Sequence, residues 1–174
     1  MAENPIIAGF GMLANQVCGS IARTFGTILN NQEEPHYLMF VDANNLQQNF
    51  IALAAGVTAE GIAQIGADAD YVAVAIMRRA PTEANPLAAD QPFTFMIQDG
   101  SSSRDFSNWH VHADLGMGNG WFPFYFAKPR IFSRNSSVKI ECTNLQAAVA
   151  IRAYVGFLGY KVYDKAMLDL TAQT

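Results

Sequence analysis

The sequence predicts an all-β fold, an antiparallel β-sandwich preceded by a partly helical N-terminal arm. From Pro35 onward, short runs of β-branched and aromatic residues alternate with clusters of turn residues, the pattern of sandwiches and barrels. The run Ser137–Thr143 has the period of two that a half-buried strand requires. A length of 174 residues suits one such domain with an arm. We therefore divide the chain into an assembly arm, residues 1–34, and a sandwich domain, residues 35–174.

The arm carries apolar residues at every third or fourth position, which predicts one apolar face of a helix. Four glycines interrupt this stripe, and each costs about 1 kcal/mol relative to alanine in a helix interior. Such a helix is marginal alone, so we expect it to become ordered by docking onto a partner. The predicted partner-binding residues of the arm are Ile6, Phe10, Leu13, Val17, Ile21 and Phe25.

Eight strands are predicted in the sandwich domain, each bounded by turn residues. They are His36–Asp42, Asn49–Ala54, Ala69–Arg78, Pro92–Gln98, Trp109–Leu115, Trp121–Phe126, Ser137–Thr143 and Val149–Tyr163. The expected mate of Ser137–Thr143 is Ala148–Tyr154. Turn residues are expected at Gly56, Gly61 and Gly66, and a bulge or bend at Gly156 and Gly159.

Composition excludes several classes of function. Charged residues make up only 15% of the chain against a usual quarter or so, which predicts that some apolar surface meets a partner. A net charge of −4 without a basic run argues against nucleic acid binding. The apolar N-terminus lacks a basic region and contains polar residues, so neither a signal peptide nor a membrane span is predicted. Cys18 and Cys142 are read as small core residues of a protein made in a reducing compartment.

Two short motifs resemble a cofactor-binding site and a catalytic site. Their sequence context favours a flexible arm for the first and a polar loop for the second. Residues Gly9–Ala14 match a dinucleotide fingerprint, but no βαβ pattern surrounds them. Ser101–Ser103 lie near Asp99, Asp105 and His110, yet nothing there resembles a nucleophile elbow. We expect no catalytic residues and no cofactor.

His110 and His112 alternate along a predicted strand, so both side chains would face the same side, as two ligands of one metal must. A cupin-type metal site resembles this arrangement but also requires a nearby glutamate and a histidine on a later strand. His36 is the only other histidine in the sequence. The sequence therefore predicts no metal site.

Five aromatic residues lie within six positions, Trp121, Phe122, Phe124, Tyr125 and Phe126. Alternation along a strand would bury about half of them and leave the rest outward, where they would contact a partner or stack on a sugar. Trp121 and Tyr125 are the predicted partner-binding residues of the domain, and Trp109 is a further candidate for sugar stacking.

From about Tyr71 to Tyr163 the chain resembles small virion proteins of tailed bacteriophages. The residues that carry the resemblance are Pro92–Asp99, Pro129–Phe132, Asn135–Glu141, Asn144 and Gly159–Lys161. Such proteins resemble jelly rolls that decorate, cement or line a capsid or tail. The resemblance implies a virion location after synthesis in the host cytoplasm, contacts with capsid or other virion proteins, and a homo-oligomer.

These observations together predict a structural virion protein and not an enzyme, most simply a capsid-associated cement or decoration protein. A major capsid or tail structural protein is an alternative reading of the same features. The alternatives from other classes are a carbohydrate-binding β-sandwich module and, more weakly supported, a cupin-like metal enzyme.

Overall fold

Eleven β-strands make up most of the chain that the computed structural model describes, residues 35–119 and 121–163. The strands are β1 (Pro35–Met39), β2 (Val41–Asp42), β3 (Ile51–Leu53), β4 (Thr58–Gln64), β5 (Ala69–Arg79), β6 (Phe93–Asp99), β7 (Arg104–Asp105), β8 (Val111–His112), β9 (Phe124–Phe132), β10 (Ser137–Asn144) and β11 (Ile151–Tyr163). One helical turn, Ala113–Gly116, follows β8. The predicted all-β sandwich is confirmed. The predicted arm, residues 1–34, lies outside the described residues, as do residues 164–174.

Within the described residues, one antiparallel sheet has the strand order β1-β11-β5-β9, and β3 pairs with the start of β11. Its centre is the pair of long strands β5 and β11, whose register runs from Arg79 opposite Tyr154 to Ala69 opposite Tyr163. The register shifts between Leu158 and Gly159, which is the irregularity predicted near this glycine. A Cβ at Gly159 would collide with the carbonyl oxygen of Val72, so the close approach of β5 requires glycine here.

The second sheet of the described chain has the order β2-β4-β10-β6-β7, and β8 pairs with β6. Strand β10 lies at its centre, hydrogen-bonded to β4 on one side and to β6 on the other. Val138, Ile140 and Cys142 are fully buried, whereas Lys139 is exposed, so the predicted alternation of this strand is confirmed. Burial also raises the pKa of the Cys142 thiol.

The core lies between the inner faces of the two sheets. Phe157 of β11 is its aromatic centre, with ring centroids 5.3 Å from Phe40 and 5.5 Å from Phe132. Phe93 and Ile140 of the second sheet belong to the same buried cluster. Each such side chain contributes about 1.5–3 kcal/mol of burial free energy, so packing across the two sheets supplies the main stabilisation.

The predicted strand His36–Asp42 is divided between the two sheets. Phe40, which is fully buried, separates β1 from β2, and its N–H donates to the carbonyl oxygen of Val155 at 3.0 Å. The chain therefore crosses from one sheet to the other at a core residue, a bend that the apolar pattern did not reveal.

Strand β4 was missed, and Gly61 was wrongly interpreted as a turn residue. Gly61 is buried within β4 opposite Ile140, and a Cβ there would lie 2.5 Å from Cδ1 of Ile51. The sequence of β4, Thr-Ala-Glu-Gly-Ile-Ala-Gln, has low strand propensity, so pairing with β10 determines its conformation. Gly56, with φ of 66°, does occupy a turn.

The expected pairing of Ser137–Thr143 with Ala148–Tyr154 is wrong. The connection 145–150 carries the chain from β10 in one sheet to β11 in the other, where β11 pairs with β1, β3 and β5. A local hairpin would have placed β11 in the sheet of β10, whereas the crossing places the apolar residues of β11 opposite those of β10 across the core.

Candidate functional site

One end of the sandwich is built from the connections that follow β2, β5, β8 and β10, and we call it the loop end. Hydrogen bonds join the connections that follow β5 and β10. The N–H of Glu83 donates to Ala150 at 2.9 Å, and the side-chain amide of Gln146 donates to Gln91 at 3.2 Å. Pro35, the first residue of β1, pairs with Tyr160. The chain therefore enters β1 at the end of this sheet that is opposite to the loop end.

Two buried polar side chains hold the loop end together. Asn144 is almost completely buried, and its amide nitrogen donates to the carbonyl oxygens of Leu53 (3.2 Å), Ala54 (3.0 Å) and Val149 (2.8 Å). The carboxylate of Asp42 accepts the N–H groups of Asn44 (2.8 Å) and Ala52 (3.1 Å). Buried polar groups persist where they are hydrogen-bonded, and here the bonds fix loop backbones relative to the sheets.

Arg78, near the end of β5, links two of these connections to the core. Its side chain is only 9% exposed, ion-paired with Asp114 and 3.8 Å from Asp90, and its guanidinium lies over the ring of Phe93 at 5.6 Å. Its Nε and Nη1 atoms have no hydrogen-bond partner among the described residues. Burial lowers the pKa of Arg78, and the charge of Asp90 opposes that effect. The ion pairs tether the loop 80–92 and the helical turn after β8 to the core.

The aromatic run Trp121–Phe126 is far more exposed than the sequence predicts. Trp121 is 89%, Phe122 79% and Tyr125 64% exposed, Phe124 is also exposed, and only Phe126 packs against the core. The expectation that about half of these rings would be buried is wrong, because the strand begins at Phe124 and not at Trp121. In addition, β9 is an edge strand of its sheet in the described chain, so fewer neighbours cover it.

The predicted partner-binding residues Trp121 and Tyr125 are thus both exposed, but they lie on different parts of the surface. Trp121 belongs to the loop before β9, and Tyr125 lies in β9 opposite Ala75. The six predicted partner-binding residues of the arm lie outside the described residues.

The side chain of Trp121 borders a groove on the outer face of the first sheet, next to the loop end. The groove has a volume of about 380 Å³. It is lined by Met39, Met77, Arg78, Arg79, Asp90, Asn119, Trp121, Tyr154 and Gly156. Apart from Trp121, sequence reasoning identified none of these as functional, because they come from five separate segments whose proximity is tertiary. The dipeptide Asn119-Gly120 was recognised only as a turn.

His110 and His112 do not face each other across a shared site. The Nε2 atom of His110 lies 2.7 Å from Oε1 of Glu141 on β10. The Nδ1 atom of His112 accepts the N–H of Asp114 at 3.3 Å and thereby caps the helical turn. In the described part of the chain, no group of three or more potential metal ligands comes together.

The serines considered as nucleophiles form a turn around Asp99. The hydroxyl groups of Ser101 and Ser102 donate to the Asp99 carboxylate at 2.7 and 2.6 Å. Partial burial opposes ionisation of Asp99, but these bonds hold its pKa below the ordinary value. His110 bonds to Glu141 instead, so these groups are not arranged as a catalytic triad.

No helix in the described residues has the length and apolar character needed to cross a bilayer. The chain matches no protein-family model, no curated protein and no solved structure.

Proposed function

We propose that this chain is a structural virion protein of a bacteriophage, a capsid-associated cement or decoration protein that stabilises the particle through protein–protein contacts. The observation that carries the proposal is a strip of exposed apolar side chains on β9 and the residues before it, which we call the β9 strip. It consists of Phe122, Phe124, Tyr125 and Ile131. Exposed aromatic residues are enriched at protein interfaces.

The strand order supports a jelly roll, the fold that the resemblance to virion proteins implies. Eight strands, β1, β4, β5, β6, β8, β9, β10 and β11, can be numbered one to eight along the chain. The two sheets then have the orders 1-8-3-6 and 2-7-4-5. Two Greek keys wound together produce this order, and viral capsid and lectin domains use such jelly rolls.

The backbone of β9 favours contacts through side chains over simple strand addition. Ala73 pairs with Arg130 and Ala75 pairs with Tyr125, so four residues of β9, 126–129, lie opposite the single residue Val74. This bulge includes Pro129, which has no N–H to donate. Bulges and prolines protect exposed edges from uncontrolled pairing. The partner is therefore expected to bury the aromatic side chains of the β9 strip.

Replacing both Phe122 and Tyr125 by serine should prevent stable incorporation into particles while leaving the domain folded. Both side chains are exposed, so their loss costs little folding free energy, whereas aromatic anchors of an interface commonly carry 2 kcal/mol or more each, roughly a thirtyfold change in affinity. The measurement is the number of copies per purified particle, by quantitative mass spectrometry. Copy number also separates a decoration protein from a major capsid or tail protein.

The matched control is Leu87→Ser, because Leu87 is 89% exposed but lies in the loop between β5 and β6. This variant should be incorporated like the wild-type chain. Normal incorporation of the double variant would remove the β9 strip from the interface. Absence of the wild-type chain from purified particles would refute the virion assignment itself.

Deleting residues 1–34 should give a folded β-domain that no longer joins its assembly, because the apolar stripe of the arm is predicted to dock on a partner. Circular dichroism and thermal melting of the truncated chain, compared with its incorporation into particles, test this expectation. An unfolded truncation would show that the segment belongs to the domain core. Normal assembly of a folded truncation would show that it is dispensable.

A further inference from the structure

The groove on the outer face of the first sheet has a floor formed by three strands. Met39 of β1, Gly156 of β11 and Met77 of β5 lie side by side in register. Gly156 lies between the two methionines, and the sulfur of Met39 packs over it, 2.5 Å from the position that a Cβ would occupy. Because Gly156 has no side chain, the thioether of Met39 can lie over the strand, and the two methionines make the floor of the groove apolar.

Two aromatic residues, Trp121 and Tyr154, line the groove above this floor. The side-chain oxygen of Asn119 accepts the N–H groups of Trp121 at 3.0 Å and of Phe122 at 2.8 Å, which fixes the backbone that carries the Trp121 ring. Tyr154 packs against Phe50, with ring centroids 5.5 Å apart. The indole of Trp121 is 89% exposed, so its ring is available for stacking beside the groove.

The charged groups of the groove are already paired with each other. Arg79 donates to Asp90 at 3.0 Å and to the carbonyl oxygen of Ala88 at 3.0 Å. Arg78, the other cation of the lining, pairs with Asp114 and Asp90. Two arginines opposite two aspartates leave no excess positive charge for a phosphate or carboxylate. The pair of Arg79 and Asp90 instead offers fixed donors and acceptors, which suits hydroxyl groups.

We propose that this groove binds a neutral hexose unit of a saccharide, stacked on Trp121 and hydrogen-bonded through its hydroxyl groups to the pair of Arg79 and Asp90. The C–H face of a sugar ring is apolar, and its edge carries hydroxyl groups. The groove places the aromatic ring of Trp121 near the hydrogen-bonding groups of Arg79 and Asp90. A volume of about 380 Å³ is within the range of small-ligand sites. This inference does not depend on the assembly role of the β9 strip. Tyr125 and Trp109, the other aromatic residues considered for sugar stacking, lie elsewhere on the described surface.

The experiment uses the full chain carrying Trp109→Phe, so that Trp121 is the only tryptophan and reports on its own environment. Maltose, cellobiose, lactose and mannobiose are titrated while tryptophan emission is recorded. At least one of them should shift the emission with a dissociation constant of about 0.1–5 mM, as expected for a single shallow site. Calorimetry of the chain with both tryptophans should give the same constant.

Trp121→Ala, read by calorimetry, should weaken this binding about tenfold or more, since it removes the stacking surface. Trp109→Ala is the matched control and should bind like the wild-type chain. Gly156→Leu, which pushes the flexible thioether of Met39 into the groove, should also abolish binding while circular dichroism shows a folded domain.

Three results would overturn the proposal. One is the absence of any shift for all four sugars up to about 20 mM, where even a weak site would be half occupied. Another is undiminished binding by Trp121→Ala. The third is a preference for a sialylated or phosphorylated sugar that disappears in salt, which would show an anion site. Incorporation into particles of the Trp121→Ala variant, measured in parallel, separates failure of this site from failure of the β9 strip.

Discussion

Ile140→Asp should leave the sandwich domain unfolded, whereas Lys139→Asp should give a folded protein with nearly the original stability. Ile140 is completely buried in the central strand of the second sheet, between Gly61 of β4 and Ile97 of β6. An aspartate there would lose the burial of the isoleucine and place an unpaired carboxylate in the core. We expect a loss of about 5 kcal/mol or more, which is comparable to the whole stability of a typical domain.

Lys139 projects from the opposite face of the same strand and is exposed, so its replacement should cost about 1 kcal/mol or less. Urea unfolding followed by circular dichroism measures both variants under the same conditions. Equal destabilisation of the two variants would mean that the register of β10 is wrong. The comparison is sensitive to register because a shift of one residue exchanges the inner and outer faces of the strand.

Asn144→Leu should lower the free energy of unfolding by about 3 kcal/mol and should loosen the loop end more than the rest of the domain. Leucine has a similar volume, so the change mainly removes hydrogen bonds. The carbonyl oxygens of Leu53, Ala54 and Val149 lose the amide that they share, and the N–H of Gln146 loses its acceptor. A buried group left without a partner costs about 1–3 kcal/mol.

Urea unfolding gives the global effect, and amide hydrogen exchange shows where the protein opens. Exchange should accelerate at residues 52–57 and 145–150, while amides in the centre of β5 change only in line with global stability. The matched control is Gln146→Leu, whose side chain makes a single peripheral bond to Gln91. If Asn144→Leu were no less stable than this control, the hydrogen bonds of Asn144 would not be what holds the loops together.

Local patterns in the sequence were sufficient where a strand is amphipathic or long. The alternation of Val138, Ile140 and Cys142 with Lys139 and Glu141 predicted both the strand β10 and its inner face. The long apolar run after Val149 predicted β11 and the irregularity at Gly159. In both cases the information lies within one segment, because burial on one face imposes a period of two.

The same reasoning failed where pairing partners decide the structure. Strand β4 contains glycine, alanine and glutamate and becomes a strand because β2 and β10 flank it. The aromatic rings of residues 121–126 are mostly exposed partly because β9 lies at the edge of its sheet. The periodicity of the segment does not reveal that position.

By itself, the sequence determined that this chain folds as a β-sandwich, which residues of β10 face inward, and that Trp121 and Tyr125 belong to an aromatic run with outward-facing rings. These properties depend on patterns between near neighbours in the chain. Only the tertiary structure decided which strands share a sheet, that Asn144 and Arg78 hold the loop end, and that Met39, Met77, Asp90, Trp121 and Gly156 line one groove. The physical reason is that strand order and groove lining arise from contacts between residues far apart in sequence, and a local pattern specifies the face of a strand but not its neighbour.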